Sequence, residues 1–271
     1  MMQRRGNPLN WRVWLSGASS GIGEALAREL AIRSCRLALF ARRAELLSAL
    51  KDELVRERPS LEVLVQPGDV RDPARIREAI GEAEARFGGI DVLLLNAGTG
   101  DTLHPESFDA QLVERVFGVN FLGAVHCIAA ALPGMLRRKA GTIVGISSIA
   151  AVRGFPGSGP YCASKAAFTT FLESLRLDLW RTGVKVITVS PGFIKTPLTD
   201  RNRHPMPFIQ PADRAARRIL KGIERGKREI HFPKPLTIPL KILGCFPGPI
   251  YDFLLSRFLP HGLSKEPSSE S

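Results

Sequence analysis

The chain is poor in cysteine. Its 271 residues include four, Cys35, Cys127, Cys162 and Cys245, scattered and without a CxxC pair. That spacing excludes a disulfide framework or a zinc site and implies reduced thiols. Long apolar runs are also missing. The apolar stretch from Leu236 to Leu259 is interrupted by Lys241, Asp252 and Arg257 and broken by prolines and glycines. A spanning helix needs about 20 predominantly apolar residues, so a transmembrane reading is rejected. At the N-terminus Arg4 and Arg5 precede only the short run Trp11–Leu15, too little for a signal peptide. The expected location is therefore cytoplasmic. No finger, RNA-binding aromatic motif or basic helical repeat occurs, which argues against nucleic acid as a partner. No linker and no internal repeat divides the chain.

What is present is basic charge and an alternation of two periods. Lysine and arginine number 38 against 26 acidic residues, a net charge of +12. Such a surface favours phosphorylated cofactors or anionic lipid; a solvated basic surface with no specific partner fits as well. Short apolar runs of strand type are Trp11–Leu15, Leu37–Phe40, Leu61–Val65, Val92–Leu95, Thr142–Ile146, Val184–Val189 and Glu229–Phe232. Helical spacing fills the gaps at Ile22–Ile32, Ala44–Glu57, Pro73–Phe87, Asp109–Arg138, Tyr161–Arg181 and Ala212–Arg225. Asp72-Pro73 and Gln210-Pro211 mark helix starts, and Gly88-Gly89 and Gly183 mark helix ends. Strands alternating with helices predict an α/β fold: one Rossmann-like, doubly wound parallel sheet of about seven strands, covered on both faces. The expected organisation is one domain over 1–235, an apolar C-terminal extension over 236–263, and a disordered tail over 264–271.

The first strand runs into Ser16-Gly17-Ala18-Ser19-Ser20-Gly21-Ile22-Gly23, which opens a helix. Glycines here let the backbone turn tightly and approach a pyrophosphate, and the free N–H groups of the helix start favour its charge. Further along stand Asn96-Ala97-Gly98, Asn120, Ser147-Ser148, the YxxxK pair Tyr161 and Lys165, and Pro191-Gly192-Phe193-Ile194-Lys195-Thr196. Taken in this order, from about Val13 to about Phe232, the chain resembles the short-chain dehydrogenase/reductase family. The resemblance implies a catalytic four of Asn120, Ser148, Tyr161 and Lys165. It implies a cofactor cradle of Gly17, Ser19, Ser20, Gly21, Ile22, Gly23, Asp69, Val70, Asn96, Ala97, Gly98, Pro191, Gly192, Ile194 and Thr196, joined by Tyr161 and Lys165.

Cofactor choice is read at the end of the second strand. An acid there would bind the ribose 2′-hydroxyl of NAD, whereas arginine accommodates the 2′-phosphate of NADP. The chain has Ala41 followed by Arg42 and Arg43, so NADP(H) is expected over NAD(H). By resemblance Asp69 meets the adenine amino group; a helix-start role for Asp69 is the alternative.

Carbonyl reduction needs a hydride to carbon and a proton to oxygen. Residues i and i+4 share a helix face, so Lys165 lies near Tyr161 and is expected to lower its pKa. Ser148 would orient the substrate carbonyl. By resemblance, Lys165 also reaches the nicotinamide ribose and Asn120 holds a water in a proton relay. By resemblance 1–235 is the catalytic domain and its segment 193–211 becomes a lid over the substrate, carrying Arg201, Arg203, His204, Met206 and Phe208; Phe155, with Ser148 and Tyr161, is expected to shape the substrate pocket. The extension after Leu236 is expected to pack across the substrate mouth or a subunit interface, with peripheral contact at the inner membrane face as the competing reading. By resemblance the helices bearing Asn120 and Tyr161 build a homodimer or homotetramer. The expected activity is NADPH-dependent hydride transfer to or from a small to medium lipophilic carbonyl or alcohol. A non-catalytic nucleotide-binding scaffold is the alternative, and the intact catalytic four argues against it.

Overall fold

In a computed structural model, residues 9–201 and 205–256 are described. Seven strands form one parallel sheet: β1 Arg12–Ser16, β2 Arg36–Ala41, β3 Val63–Pro67, β4 Val92–Leu95, β5 Gly141–Ile146, β6 Val184–Pro191 and, after two short strands, β9 Glu229–Phe232. Their spatial order is β3-β2-β1-β4-β5-β6-β9. The short pair β7 Ile194–Lys195 and β8 Gln210–Pro211 is a separate parallel ladder. Helices α1 Gly21–Ile32, α2 Ala44–Glu57 and α7 Ala212–Glu224 cover one face of the large sheet. Helices α3 Pro73–Phe87, α5 Gly123–Arg138 and α6 Gly159–Asp178 cover the other.

Successive strand residues point to opposite faces, so a strand covered on both sides is apolar throughout. In β1, Val13 and Leu15 enter the core under α1 while Trp14 enters the core under α3. In β4, Val92 and Leu94 take the first side and Leu93 and Leu95 the second. The connection order reverses between β1 and β4, and a crevice opens at the carboxyl ends of these strands.

Local signals fix several boundaries. The Asp72 carboxylate accepts from the backbone N–H groups of Ala74 and Arg75, and Pro73 needs no partner in the first turn. Gly88, left-handed at φ +76°, ends α3. Two expectations need correction. The helix forecast over Asp109–Arg138 is interrupted: α4 Ala110–Phe117 and α5 flank a π-helical turn over Gly118–Leu122 that contains Asn120. Helix α6 ends at Asp178, so Gly183 does not cap it; Gly183 instead passes the Lys139 carbonyl so closely that a Cβ would stand 1.9 Å from that oxygen.

The apolar stretch after β9 forms two helices, α8 Lys234–Gly244 and α9 Gly248–Ser256. Pro239 lies inside α8 rather than ending it. Among the described residues, Ala110–Arg138 is the helical run long and apolar enough to cross a membrane. Its Cys127, Ile128, Ala131 and Met135 are buried in the core beneath the sheet. The forecast tail 264–271 lies outside the described residues, as do 257–263 of the forecast extension.

Candidate active site

The crevice begins with Ser16, the last residue of β1. Its buried hydroxyl accepts from the backbone N–H groups of Asn96 at 3.0 Å and Ala97 at 3.2 Å, tying the ends of β1 and β4 together. Asn96 Nδ2 donates to the Gly17 carbonyl at 3.0 Å. The chain then leaves no room for side chains. Gly17 has φ +66° and a Cβ on it would stand 2.8 Å from the Ala97 Cα; one on Gly23 would stand 2.1 Å from the Gly17 oxygen. The loop is a packed backbone unit that delivers the N-terminus of α1 to the crevice.

Ser20 occupies the N-cap position of α1, but its hydroxyl makes no cap bond. It accepts instead from Arg43 Nη2 at 2.7 Å, and the same guanidinium donates to the Ser19 hydroxyl at 2.9 Å. Arg42 and Arg43 are both exposed and line the crevice. A cationic fork and two hydroxyls thus meet at the end of β2. Asp69 lines the same region, its carboxylate gripped by Arg71 at 2.7 Å and held below the usual carboxylate range by that hydrogen bond. The helix cap beside it is Asp72, so the helix-start alternative for Asp69 does not hold.

At the other end, Tyr161 and Lys165 lie one turn apart on α6. The buried Lys165 ammonium donates to the Ile146 carbonyl at 2.9 Å and lies 5.9 Å from the Tyr161 ring centre. Burial pulls its pKa down to about 8. Tyr161 moves the other way: burial raises its pKa, and a hydrogen bond from Ser148 pulls partly back. The expectation that Lys165 lowers the Tyr161 pKa is thus corrected. Desolvation dominates, and the ammonium is directed at a carbonyl rather than at the phenol.

Ser148 begins a short 3-10 turn over Ile149–Ala151, and its hydroxyl accepts from the Ala150 N–H at 3.1 Å. The neighbouring Ser147 hydroxyl bonds the Lys165 carbonyl at 3.2 Å and the Thr169 hydroxyl at 2.7 Å, fixing α6 against β5. Asn120 is buried in the π turn. Its Nδ2 donates to the Thr99 carbonyl at 2.9 Å and the Ser164 hydroxyl at 3.0 Å, while its Oδ1 accepts from the Thr99 N–H at 2.8 Å. Both amide N–H groups are engaged within the protein.

The crevice has about 1260 Å³ of open space. It gathers Gly17, Ser19, Ser20, Gly21, Ile22, Arg42, Arg43, Asp69, Val70, Asn96, Ala97, Gly98, Ser148, Tyr161, Lys165, Pro191, Gly192, Ile194 and Thr196 from distant parts of the chain. Three forecast residues are not on its wall. Gly23 packs beneath the loop, Asn120 lies behind it, and Phe155 is half-buried elsewhere. Thr99, Val119, Leu198 and Thr199 line it without having been anticipated. Thr199 carried a faint signal, standing three residues after Thr196, and its hydroxyl donates to the Ile194 carbonyl at 2.6 Å. Of the forecast lid residues, Arg203, His204 and the Arg201 side chain lie outside the described residues; Phe208 is exposed at φ +58°.

The family model for short chain dehydrogenases matches residues 12–207. An uncharacterized oxidoreductase of Myxococcus xanthus is 40% identical over 245 residues, spanning 90% of this chain and 95% of that protein. An 11-beta-hydroxysteroid dehydrogenase-like protein of Arabidopsis thaliana is 35% identical over 90% of this chain and 80% of its own length. Among solved structures, an alcohol dehydrogenase from Thermococcus sibiricus complexed with 5-hydroxy-NADP aligns with a TM-score of 0.73 at 26% identity, covering 81% of this chain and 94% of that one. A short chain dehydrogenase/reductase from Burkholderia phymatum in complex with NAD has a TM-score of 0.79 at 24% identity, covering 94% of this chain and 97% of that one, a likeness of fold.

Proposed function

The chain belongs to the short-chain dehydrogenase family, and from that premise we propose that it is an NADPH-dependent reductase of a small to medium lipophilic carbonyl compound. The observation that carries the reading is Tyr161, half-buried beside Ser148 and the buried Lys165 at the far end of a crevice whose near end is a loop closely packed at Gly17 and Gly23. The residues fit a nicotinamide dinucleotide. Gly17 and the start of α1 suit a pyrophosphate, and the fork of Arg43 with Ser19 and Ser20 suits a 2′-phosphate. Asp69 would face the adenine, and the Asn96–Gly98 and Pro191–Thr196 turns the nicotinamide half.

Bound there, the nicotinamide supplies the hydride. The protein supplies the rest. Ser148 donates a hydrogen bond to the substrate oxygen and holds the carbonyl beside Tyr161. Tyr161, its pKa raised by burial, rests as the phenol near neutral pH and gives its proton to the developing alkoxide. Lys165, with a pKa near 8 and its ammonium inside the crevice, resupplies the proton to the phenolate left behind.

The scaffold reading has no observation in its favour. The name of the Arabidopsis relative supports a lipophilic alcohol or carbonyl as substrate. Residues 1–235 form the catalytic domain in this proposal, acting in the cytoplasm. The outward side of the Ala110–Arg138 run and α6 would pair copies into a homodimer or homotetramer. Ile238, Ile242, Phe246, Ile250 and Phe253, exposed along α8 and α9, supply the apolar stripe for peripheral membrane contact. The test of the central proposal is cofactor oxidation with a lipophilic aromatic aldehyde. Wild type should consume NADPH, and Tyr161→Phe should not, while still binding NADPH. Retained turnover in that variant would overturn the mechanism.

A further inference from the structure

The loop between Ser148 and Tyr161 is held from outside the crevice. Arg153 Nε donates to the Gly244 carbonyl at 3.0 Å, and its Nη2 to the Phe246 carbonyl. These are the last residue of α8 and a residue of the α8–α9 turn. From α9, the Tyr251 hydroxyl donates to the Gly154 carbonyl at 2.8 Å, and the Arg153 guanidinium lies 5.3 Å from the Tyr251 ring centre. The three bonds are reciprocal: each element offers one side chain to the other's backbone. Gly244 meets Val152 so closely that a Cβ would stand 2.2 Å from its Cγ1. At the other end of α8, Leu236 packs over Gly192, where a Cβ would stand 2.7 Å from its Cδ2, and Gly192 lines the crevice. Helices α8 and α9 therefore bridge from the Pro191-Gly192 turn to the loop that joins the two residues acting on the substrate oxygen.

We propose that Arg153 and Tyr251 are positioning residues: they lock the Ser148–Tyr161 loop to α8–α9, so that the C-terminal helices set the substrate end of the site without touching the cofactor. The inference rests on the hydride-transfer reading above for its function, but its geometry is independent of it. Neither Arg153 nor Tyr251 lines the crevice. Ser148 and Tyr161 face the reacting oxygen from the two ends of a segment of 12 intervening residues that is held by these contacts, by short turns and, at the Gly157 carbonyl, by the Leu103 N–H at 2.9 Å. Releasing the latch loosens the alignment of Ser148 with Tyr161 and leaves the glycine cradle unchanged.

The chain has two tyrosines, Tyr161 and Tyr251, which makes the test readable without a known substrate. Tyr251→Phe keeps the ring and removes the latch hydroxyl, and Tyr161 is then the single tyrosine reported by ring-13C tyrosine NMR. Arg153→Ala removes the other half of the latch and leaves both tyrosines; Arg153→Lys is the conservative partner. Three readings are taken on the full chain: amide exchange, the Tyr161 ring resonance, and NADPH affinity by fluorescence. Arg153→Ala should speed exchange in 149–158 about tenfold, with α1 unchanged. Each latch variant should move or broaden the Tyr161 resonance and keep NADPH affinity within about twofold. Where wild type reduces the aldehyde probe, kcat should fall about tenfold in Arg153→Ala and recover partly in Arg153→Lys. Unchanged exchange in 149–158 would overturn the latch, and so would an unmoved Tyr161 signal. A parallel loss of NADPH affinity and thermal stability would mean a merely structural contact. Absence of NADPH binding in wild type would instead sink the functional reading and leave the exchange result to judge the latch.

Discussion

At the cofactor end of the crevice, shape is set by backbone against backbone. Gly17 abuts Ala97, Gly23 abuts the Gly17 carbonyl, and Ser16 and Asn96 stitch the ends of β1 and β4 together. At the substrate end, shape is set by side chains reaching distant carbonyls: Lys165 to Ile146, Arg153 to Gly244, and Tyr251 to Gly154. The first kind of construction admits one residue type and tolerates no Cβ. The second kind leaves the residue types free, provided some donor spans the gap. The first end can therefore hold one ligand shape while the second varies with the substrate.

The largest effect that would sharpen this contrast is at Tyr161. Tyr161→Phe should lower turnover about a thousandfold, the scale of a lost proton donor, with cofactor affinity retained; rapid-mixing kinetics and a fluorescence titration check the two halves of that statement. Next comes Gly17→Ala. It forces a Cβ to 2.8 Å from the Ala97 Cα at a positive φ, which should cost about 1–3 kcal/mol in denaturant unfolding and abolish cofactor binding. A variant that binds NADPH normally would break the claim that this end is rigid. Smaller again is Arg43→Ala, which should weaken NADPH about tenfold, the scale of one charge-assisted hydrogen bond, and leave NADH within about twofold. Isothermal titration with both cofactors reads it.

The smallest expected effect is on stability against pH. Lys165 has a folded pKa near 8 against an ordinary value of 10.5. Between those values the unfolded chain holds the proton more tightly, so this group adds stability as pH rises through 8 and loses it as pH falls. Between pH 8 and 9 the rise should be about 1 kcal/mol, and Lys165→Met should abolish it. Comparing variant with wild type cancels the other groups that titrate there. Identical slopes would mean that Lys165 is not buried as described.

The contrast also explains what the sequence disclosed. Strands β4 and β9 and helices α2 and α3 were legible to the residue: β4 is the uninterrupted apolar run of a strand covered on both faces, β9 at the sheet edge alternates apolar with polar, and α3 carries its own cap and stop. The cofactor end was legible because glycine is the residue its sterics demand. The π turn at Asn120 was hidden because helical spacing runs on through Gly118–Leu122 while the ladder slips by one hydrogen bond. The Arg153 latch was hidden because its carbonyl partner lies 91 residues away and any residue could present it. The Tyr161 pKa was misread because spacing reports that a cation is near but not that Lys165 is buried and aimed at the Ile146 carbonyl, nor that desolvation raises Tyr161.

The most direct test of the central claim is a fluorescence titration of the wild-type protein with NADPH and, separately, with NADH. The account predicts saturable NADPH binding at least about tenfold tighter than NADH, as the arginine fork beside Ser19 and Ser20 implies. Equal affinity, or a preference for NADH, would contradict the cofactor assignment, and binding of neither would contradict the enzyme itself.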